Sequence, residues 1–225
     1  MEFELALWKR SGYNSDQDMI RIKSVGKPFT TPSLATKGAA ALARADAMGL
    51  FAERELAVTL DATTFGRLAA RVARAGIGGA LVPMLTHQTL VGESKLLEQY
   101  LDQLTEALEA SPVPACEWKQ LIQVLGTDML DGLLGISAAS IRRYARTIRN
   151  TPDDVAGRLH WLALIVGDLA GAYNEIGVRQ WFDRKRAQLD GRTPAQFLAG
   201  GWKPDDPGPQ RVRSLAHALV GSPAT

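Results

Sequence analysis

Cysteine and histidine are scarce in this chain of 225 residues, which contains one cysteine, Cys116, and three histidines. A lone cysteine cannot close an internal disulfide, and no cysteine–histidine cluster shows the spacing of a zinc site. This scarcity predicts a protein that works without a metal or another cofactor. It also favours a reducing compartment, so we expect a cytoplasmic location.

Long hydrophobic runs are missing as well. The longest one surrounds Leu162–Val166 and falls far short of the ~20 apolar residues that span a bilayer. The first residues, MEFELALWKR, carry acidic side chains where a signal peptide carries basic ones. These features predict a soluble, intracellular protein with no membrane partner.

A strong excess of one charge is also absent. The chain has 26 lysines and arginines against 24 acidic residues, which leaves a formal net charge of +2. Such a chain is no polycation, so any affinity for nucleic acid has to come from a local basic patch.

Groupings typical of catalysis are equally hard to find. The acidic pairs Asp153–Asp154 and Asp205–Asp206 have no neighbouring base that would mark general acid–base chemistry. The segment GIGGAL at Gly76–Leu81 lacks the lysine of a phosphate-binding loop, and we interpret it as a plain turn. We interpret His160 as an ordinary helix residue. The sequence therefore predicts a protein that is not an enzyme and that functions by binding.

The first 34 residues differ in pattern from the rest. FELALW and MIRIKS are short β-like runs separated by the polar stretch GYNSDQD, and they predict a hairpin or a small sheet. ELAVTLD, at 55–61, is a further candidate strand.

Helical patterns dominate from Thr36 onward. An alanine-rich helix ends near Gly49, and Asp61 or Thr63 offers an N-cap for the next helix. Thr193 is the predicted cap of a short helix near the C-terminal end. Further helices are predicted at Glu93–Ala110, Cys116–Leu125, Thr127–Leu134, Ser137–Ile148, Asp153–Asn174 (apolar on one side), Gly177–Phe182 and Gln210–Val220.

These patterns predict a mainly α fold. It would combine a helix-turn-helix with a C-terminal helical domain and a small N-terminal α+β region. We place the boundaries at residues 1–114 for the N-terminal region, 115–150 for the helix-turn-helix and 151–225 for the C-terminal domain.

The segment Leu125–Arg149, LGTDMLDGLLGISAASIRRYARTIR, carries the most informative pattern. Two short helices meet at Gly135, where a helix end needs a residue that tolerates positive φ. The second helix carries several arginines and no acidic residue, as expected of a helix that enters a DNA groove. Ile136, Ile141 and Tyr144 can pack inward. The residues predicted to bind double-stranded DNA are Ser137, Ala138, Ser140, Arg142, Arg143, Arg146 and Arg149.

The alternative is a solvated basic face on an ordinary core helix. An acidic stretch precedes the motif, and this asymmetry favours separate DNA-facing and protein- or solvent-facing surfaces. The acidic residues of that stretch are Glu93, Glu98, Asp102, Glu106, Glu109 and Glu117, set against Lys95 and Lys119.

The aromatic residues after the motif also allow two interpretations. Trp181, Phe182, Phe197 and Trp202 could form a partner-binding surface, or they could be the core of a small helical domain. We favour the core, because buried aromatic side chains dominate small cores.

The C-terminal half, about residues 115–222, resembles the antitoxins of the Xre/MbcA/ParS family, which pair with RES-domain toxins. The matching elements are VLGTDMLDGLLGISAASIRRY, RLHWLALIVGDLAGAY, GVRQWFDRKRAQLDGRTPAQFL and QRVRSLAHAL. The landmarks of the family fall on Arg158, Trp181, Leu189, Gly191 and Pro194. This chain departs from the family in its long N-terminal half, and in the loop GGWKPDDPGP, which stands where a shorter glycine turn is expected.

The resemblance implies a DNA-binding antitoxin that represses its own operon and blocks the pocket of a RES-type toxin, an enzyme that consumes NAD. The C-terminal part would hold the toxin or a second copy of the chain. We expect a homodimer, because one short helix recognises few base pairs. The residues predicted to bind a partner are Trp181, Arg184, Arg192, Trp202 and Arg211.

Two alternatives stay open. The first is a stand-alone helix-turn-helix transcriptional regulator whose N-terminal half is a sensing or oligomerisation domain. The second is a protein-only adaptor whose arginines bind an acidic partner.

Overall fold

A computed structural model describes residues 19–51, 57–79 and 94–220 of the chain. These ranges contain two short strands, β1 at Arg21–Val25 and β2 at Ala57–Leu60. They also contain ten α-helices: α1 Pro32–Ala47, α2 Ala62–Arg74, α3 Ser94–Glu109, α4 Pro114–Leu125, α5 Thr127–Leu134, α6 Ala138–Ala145, α7 Asp153–Leu169, α8 Glu175–Asp183, α9 Pro194–Phe197 and α10 Pro207–His217. The prediction of a mainly α fold with a small N-terminal α+β region is confirmed.

The two strands form a parallel sheet, with Arg21 opposite Ala57 and Val25 opposite Leu60. Parallel strands need a long crossover, and α1 lies in the connection between them. MIRIKS and ELAVTLD both contain strands, and these two segments pair with each other. FELALW lies outside the described residues, so the predicted hairpin is not tested.

Side-chain caps begin two helices where the sequence predicts them. Asp61 accepts a hydrogen bond from the backbone N–H of Thr64 at 2.8 Å, and it is the cap of α2. Thr193 and Gln196 form a reciprocal capping box at the start of α9. These contacts satisfy backbone N–H groups that the first turn of a helix leaves without partners.

The central element of the fold is α7. Its side chains are buried from Val155 to Leu169, apart from half-buried Gly157. The prediction of a helix that is apolar on one side is therefore wrong, because α1, α4 and α10 all pack against it. Gly167 permits the close approach of α1, since a Cβ at this position would lie 2.8 Å from Cα of Arg44.

The C-terminal end of α7 also differs from the prediction. The helix ends at Leu169, whereas the sequence pattern suggested Asn174. The side chain of Asn174 instead caps α8, because it accepts a hydrogen bond from the N–H of Gly177 at 2.9 Å. A residue that favours capping over helix interiors thus starts a new helix.

One continuous hydrophobic core joins the two halves of the chain. It includes Phe29 near the sheet, Trp118 in α4, Leu162 in α7 and Val212 in α10. The boundaries predicted at residues 114 and 150 therefore lie between regions that share this core.

A buried set of ion pairs ties α10 to the N-terminal half. The guanidinium Nη2 of Arg44 lies 2.9 Å from Oδ1 of Asp168 and 3.5 Å from Oε1 of Glu109. The same Glu109 oxygen lies 2.7 Å from Nη2 of Arg213 in α10. Because Arg44 and Asp168 are both buried, these contacts hold α1, α3, α7 and α10 in one arrangement.

Candidate nucleic-acid interface

The turn between α5 and α6 is built on Gly135, as the sequence predicts. Its φ is 65°, in the left-handed region, and its N–H donates to the carbonyl of Asp131 at 2.9 Å. A Cβ at this position would lie 2.9 Å from the backbone of Gly200. Both the backbone conformation and the close contact with the C-terminal loop therefore require a glycine.

The start of α6 is held by two side chains. Ser137 accepts a hydrogen bond from the N–H of Ser140 at 3.3 Å, which confirms it as the N-cap. The carboxylate of Asp131 accepts from the N–H of Ala138 at 3.0 Å, across the turn. Sequence reasoning missed Asp131, although an acid placed to accept from the next helix start was the available signal.

The inner face of α6 packs on α4. Ile141 and Tyr144 are buried, and the ring of Tyr144 stacks on Trp118 with centroids 5.9 Å apart and an interplanar angle of 23°. The indole Nε1 of Trp118 donates to Oγ1 of Thr151 at 2.9 Å. These contacts fix which face of α6 points outward.

The predicted DNA-binding residues lie on α6 and on the residues that flank it. Ala138 and Ser140 are half-buried, and the exposed members are Ser137, Arg142, Arg143, Arg146 and Arg149. Within the described ranges, none of these four arginines forms an ion pair with an acidic side chain. Nε of Arg143 donates only to the carbonyl of Ala139 in its own helix, at 3.3 Å. The guanidinium groups are thus available to phosphates or base edges.

The end of α6 lies earlier than the sequence pattern predicted. The helix stops at Ala145, whereas the prediction extended it to Ile148. Thr147 has a φ of 54°, and its N–H donates to the carbonyl of Tyr144. This left-handed residue turns the chain away from the helix axis, so Ile148 and Arg149 follow the helix rather than belong to it.

Two distant side chains support the ends of α4 and α5. Nε1 of Trp202 donates to the carbonyl of Leu133 at 2.8 Å. Arg179 donates to the carbonyls of Val124 and Gln123 at 2.6 and 3.1 Å. Carbonyls near a helix end lack partners within the helix, so these donors stabilise the motif from the C-terminal domain. Nothing in the local sequence pattern marked either contact.

Only some of the acidic side chains before the motif are exposed at the surface. Glu117 is completely buried, and its Oε1 lies 2.7 Å from Nδ1 of His160. Asp102 and Glu106 are exposed, as expected, whereas Glu93 lies outside the described residues. Glu117 therefore belongs to the core and adds nothing to the predicted charge asymmetry.

The aromatic residues after the motif belong mainly to the core. Trp181 is 2% exposed and packs edge-on against Phe182, with ring centroids 5.3 Å apart. Trp202 is 6% exposed and forms the hydrogen bond to Leu133. The favoured core interpretation is confirmed for both tryptophans, and their rings present almost no surface to a partner.

The three arginines predicted to bind a partner are exposed. The guanidinium of Arg192 lies 4.0 Å from the ring centroid of Phe197. Arg211 pairs with Asp190 at 3.0 Å, and this contact lowers the pKa of the aspartate from its ordinary value. Arg184 carries no such contact within the described residues. Arg192 and Arg211 lie over the same Phe197 ring, and Lys185, next to Arg184 in the sequence, is exposed as well.

The described residues hold no group of three or more histidine, cysteine or acidic side chains that could bind a metal ion. Within the same part of the chain, every helix is too short or too polar to cross a membrane. Comparisons of the chain with protein-family models, curated proteins and solved structures found no significant match.

Proposed function

We propose that this protein binds double-stranded DNA through α6. The observation that supports the proposal is a set of exposed arginines on α6 and just after it, Arg142, Arg143, Arg146 and Arg149, which have no acidic partner among the described residues. The opposite face of α6 is buried against Trp118. The turn at Gly135 and the carboxylate of Asp131 fix the start of α6 relative to α5, so the helix presents its outer face at a set angle.

The dimensions of α6 suit the major groove. An α-helix with its side chains is about 10–12 Å in diameter, and the major groove of B-form DNA is about 12 Å wide. Ala138 and Ala139 at its start are small enough for close approach to base edges. The arginines can pair with phosphates or with guanine, so we expect binding that falls steeply with salt.

The experiment is fluorescence anisotropy with duplexes recovered from a random-sequence library, between 50 and 200 mM salt. We expect the Arg142→Ala/Arg143→Ala variant to bind more weakly and to reduce the slope of log K against log salt by roughly one for each lost phosphate contact. The matched control is Arg184→Ala/Lys185→Ala, which removes the same charge outside the motif. Equal binding by the two variants would contradict the proposal.

We further propose that the DNA binding regulates a toxin–antitoxin operon. This proposal is supported by the resemblance of residues 115–222 to the Xre/MbcA/ParS antitoxins and by a basic surface on which Arg184, Arg192 and Arg211 are exposed. The chain would act as a homodimer, hold a RES-type toxin through this basic surface, and repress the shared operon.

Co-expression with the adjacent reading frame tests this further proposal. We expect the neighbour to stop growth when expressed alone, and growth and co-purification to be restored by this chain. The Arg184→Ala/Arg192→Ala variant should lose the rescue but keep DNA binding. A harmless neighbour, or one that never co-purifies, would refute the antitoxin role.

A stand-alone regulator is the second candidate, and a cavity in the N-terminal half favours it. The cavity has a volume of about 530 Å³ and is lined by apolar residues such as Ile20, Ile22, Ala39 and Ala43, together with Ala170 just after α7. Its volume lies within the range of small-molecule sites. A thermal-shift screen of small molecules would test this candidate. A compound that stabilises the protein should also change its affinity for DNA.

A further inference from the structure

The chain leaves α6 through a backbone conformation that a threonine rarely adopts. The N–H of Thr147 donates to the carbonyl of Tyr144, and the N–H of Ile148 donates to the carbonyl of Arg143, at 2.9 and 3.0 Å. This pair of bonds is the Schellman motif, whose left-handed position is usually a glycine. A β-branched residue there carries conformational strain, and the strain fixes the direction in which Ile148 emerges.

The usual apolar contact of this motif is missing. The residue at the position of Ile148 commonly packs on an apolar side chain at the position of Arg143, in the last turn of the helix. Arg143 is exposed and charged, and Ile148 remains 69% exposed. A single exposed apolar side chain is ordinary on a protein surface. Here, however, the strained backbone of Thr147 directs Ile148 away from the protein, so the exposure of Ile148 has a structural cause.

The sequence around Ile148 is cationic. Arg146 and Arg149 flank it in the sequence, and no acidic residue occurs between Asp131 and Asp153. An apolar spot within a basic surface matches the major groove, where phosphates border the 5-methyl groups of thymines. The N–H of Ile148 bonds to the carbonyl of Arg143 at 3.0 Å, so Ile148 lies beside the exposed arginines that we propose to bind DNA.

We propose that Ile148 contacts the 5-methyl group of a thymine and so determines part of the DNA sequence preference. The inference rests on the proposed DNA binding, and it adds a specificity residue to the arginines of α6. The contact would be apolar and short-ranged, so it should discriminate between bases without contributing to the salt dependence.

The experiment replaces each thymine of the tightest selected duplex by deoxyuridine, which removes only the methyl group. For the wild type, we expect a loss of affinity of roughly four-fold at one position in each half-site, the ratio that corresponds to burial of one methyl group. The Ile148→Ala variant should lose at least as much on the thymine duplex and nothing further on the deoxyuridine duplex. The control is Ile176→Ala in α8, another exposed isoleucine, which should behave as the wild type does.

The outcomes separate this inference from the proposed function. If Ile148→Ala keeps the full penalty for deoxyuridine, or if no thymine matters to the wild type, the thymine contact is refuted while DNA binding stands. If the wild type binds no duplex at all, both the DNA binding and the thymine contact are refuted. A circular dichroism spectrum and a melting temperature equal to those of the wild type exclude misfolding as the cause.

Discussion

The imidazole of His160 lies between two oxygen atoms, with Nδ1 2.7 Å from the carboxylate of Glu117 and Nε2 2.9 Å from the carbonyl of Glu109. Glu117 is completely buried and His160 nearly so. Each ring nitrogen thus has an oxygen atom within hydrogen-bonding distance. The pair joins the end of α3 to α4 and α7.

Removal of one member of this pair should be costly. We expect His160→Ala to lower the free energy of unfolding by about 3–5 kcal/mol, because it leaves the carboxylate of Glu117 buried without its partner. Urea denaturation measures the change. The control is Glu106→Ala on exposed α3 surface, expected to stay within about 0.5 kcal/mol of the wild type. A loss as small as that of the control would show that Glu117 finds another partner.

Asp46 is expected to make stability depend on pH. Burial raises the pKa of its carboxyl to about 6, although its hydrogen bond from the N–H of Ile20 acts in the opposite direction. The folded state therefore binds this proton more tightly than the unfolded state does. The contribution of Asp46 to the free energy of unfolding therefore falls as pH rises from about 4 to about 6, and it stays low above pH 6.

The Asp46→Asn variant tests this pH dependence. The amide keeps an acceptor for Ile20 but carries no charge, so the variant should gain roughly 1–3 kcal/mol over the wild type at pH 7 and much less at pH 4. Chemical denaturation at both pH values gives the difference. An equal gain at the two pH values would argue against an ionised, buried carboxylate.

Thr147 is expected to be a strained residue that a glycine relieves. We predict that Thr147→Gly raises the free energy of unfolding by about 1 kcal/mol, because glycine adopts the left-handed conformation without a Cβ clash. Ser214→Gly in the exposed interior of α10 is the matched control, and it should destabilise by about 0.5 kcal/mol. Thermal unfolding distinguishes the stabilisation expected for Thr147→Gly from the destabilisation expected for Ser214→Gly. A lower melting temperature for Thr147→Gly would contradict the proposed strain.

Trp202 is expected to support the helix-turn-helix from a distance. The Trp202→Phe variant keeps most of the buried ring but leaves the carbonyl of Leu133 without its donor, at a cost of about 1–3 kcal/mol. Amide hydrogen exchange should rise most at the end of α5. If exchange rises only around residues 200–204, the tryptophan stabilises its own loop alone.

Much of the helix-turn-helix was predictable from local patterns. Gly135 and Ser137 occupy positions where backbone geometry and N–H satisfaction admit few residue types, so their roles follow from the sequence. The end of α6 was not predicted, because threonine rarely adopts the left-handed backbone conformation that ends the helix at Thr147. The burial of Glu117 was missed for a similar reason, since its partner is 43 residues away.

The sequence by itself determined the helical class, the caps at Ser137 and Thr193, and the basic outer face of α6, and it limited the cap of α2 to Asp61 or Thr63. These features depend on contacts within one or two turns of the chain, which neighbouring residues specify directly. Only the tertiary structure decided that α7 is enclosed by other helices, that Trp202 supports α5, and that Arg44 pairs with Asp168. Such contacts join residues far apart in sequence, and they exist only once the helices pack and exclude water.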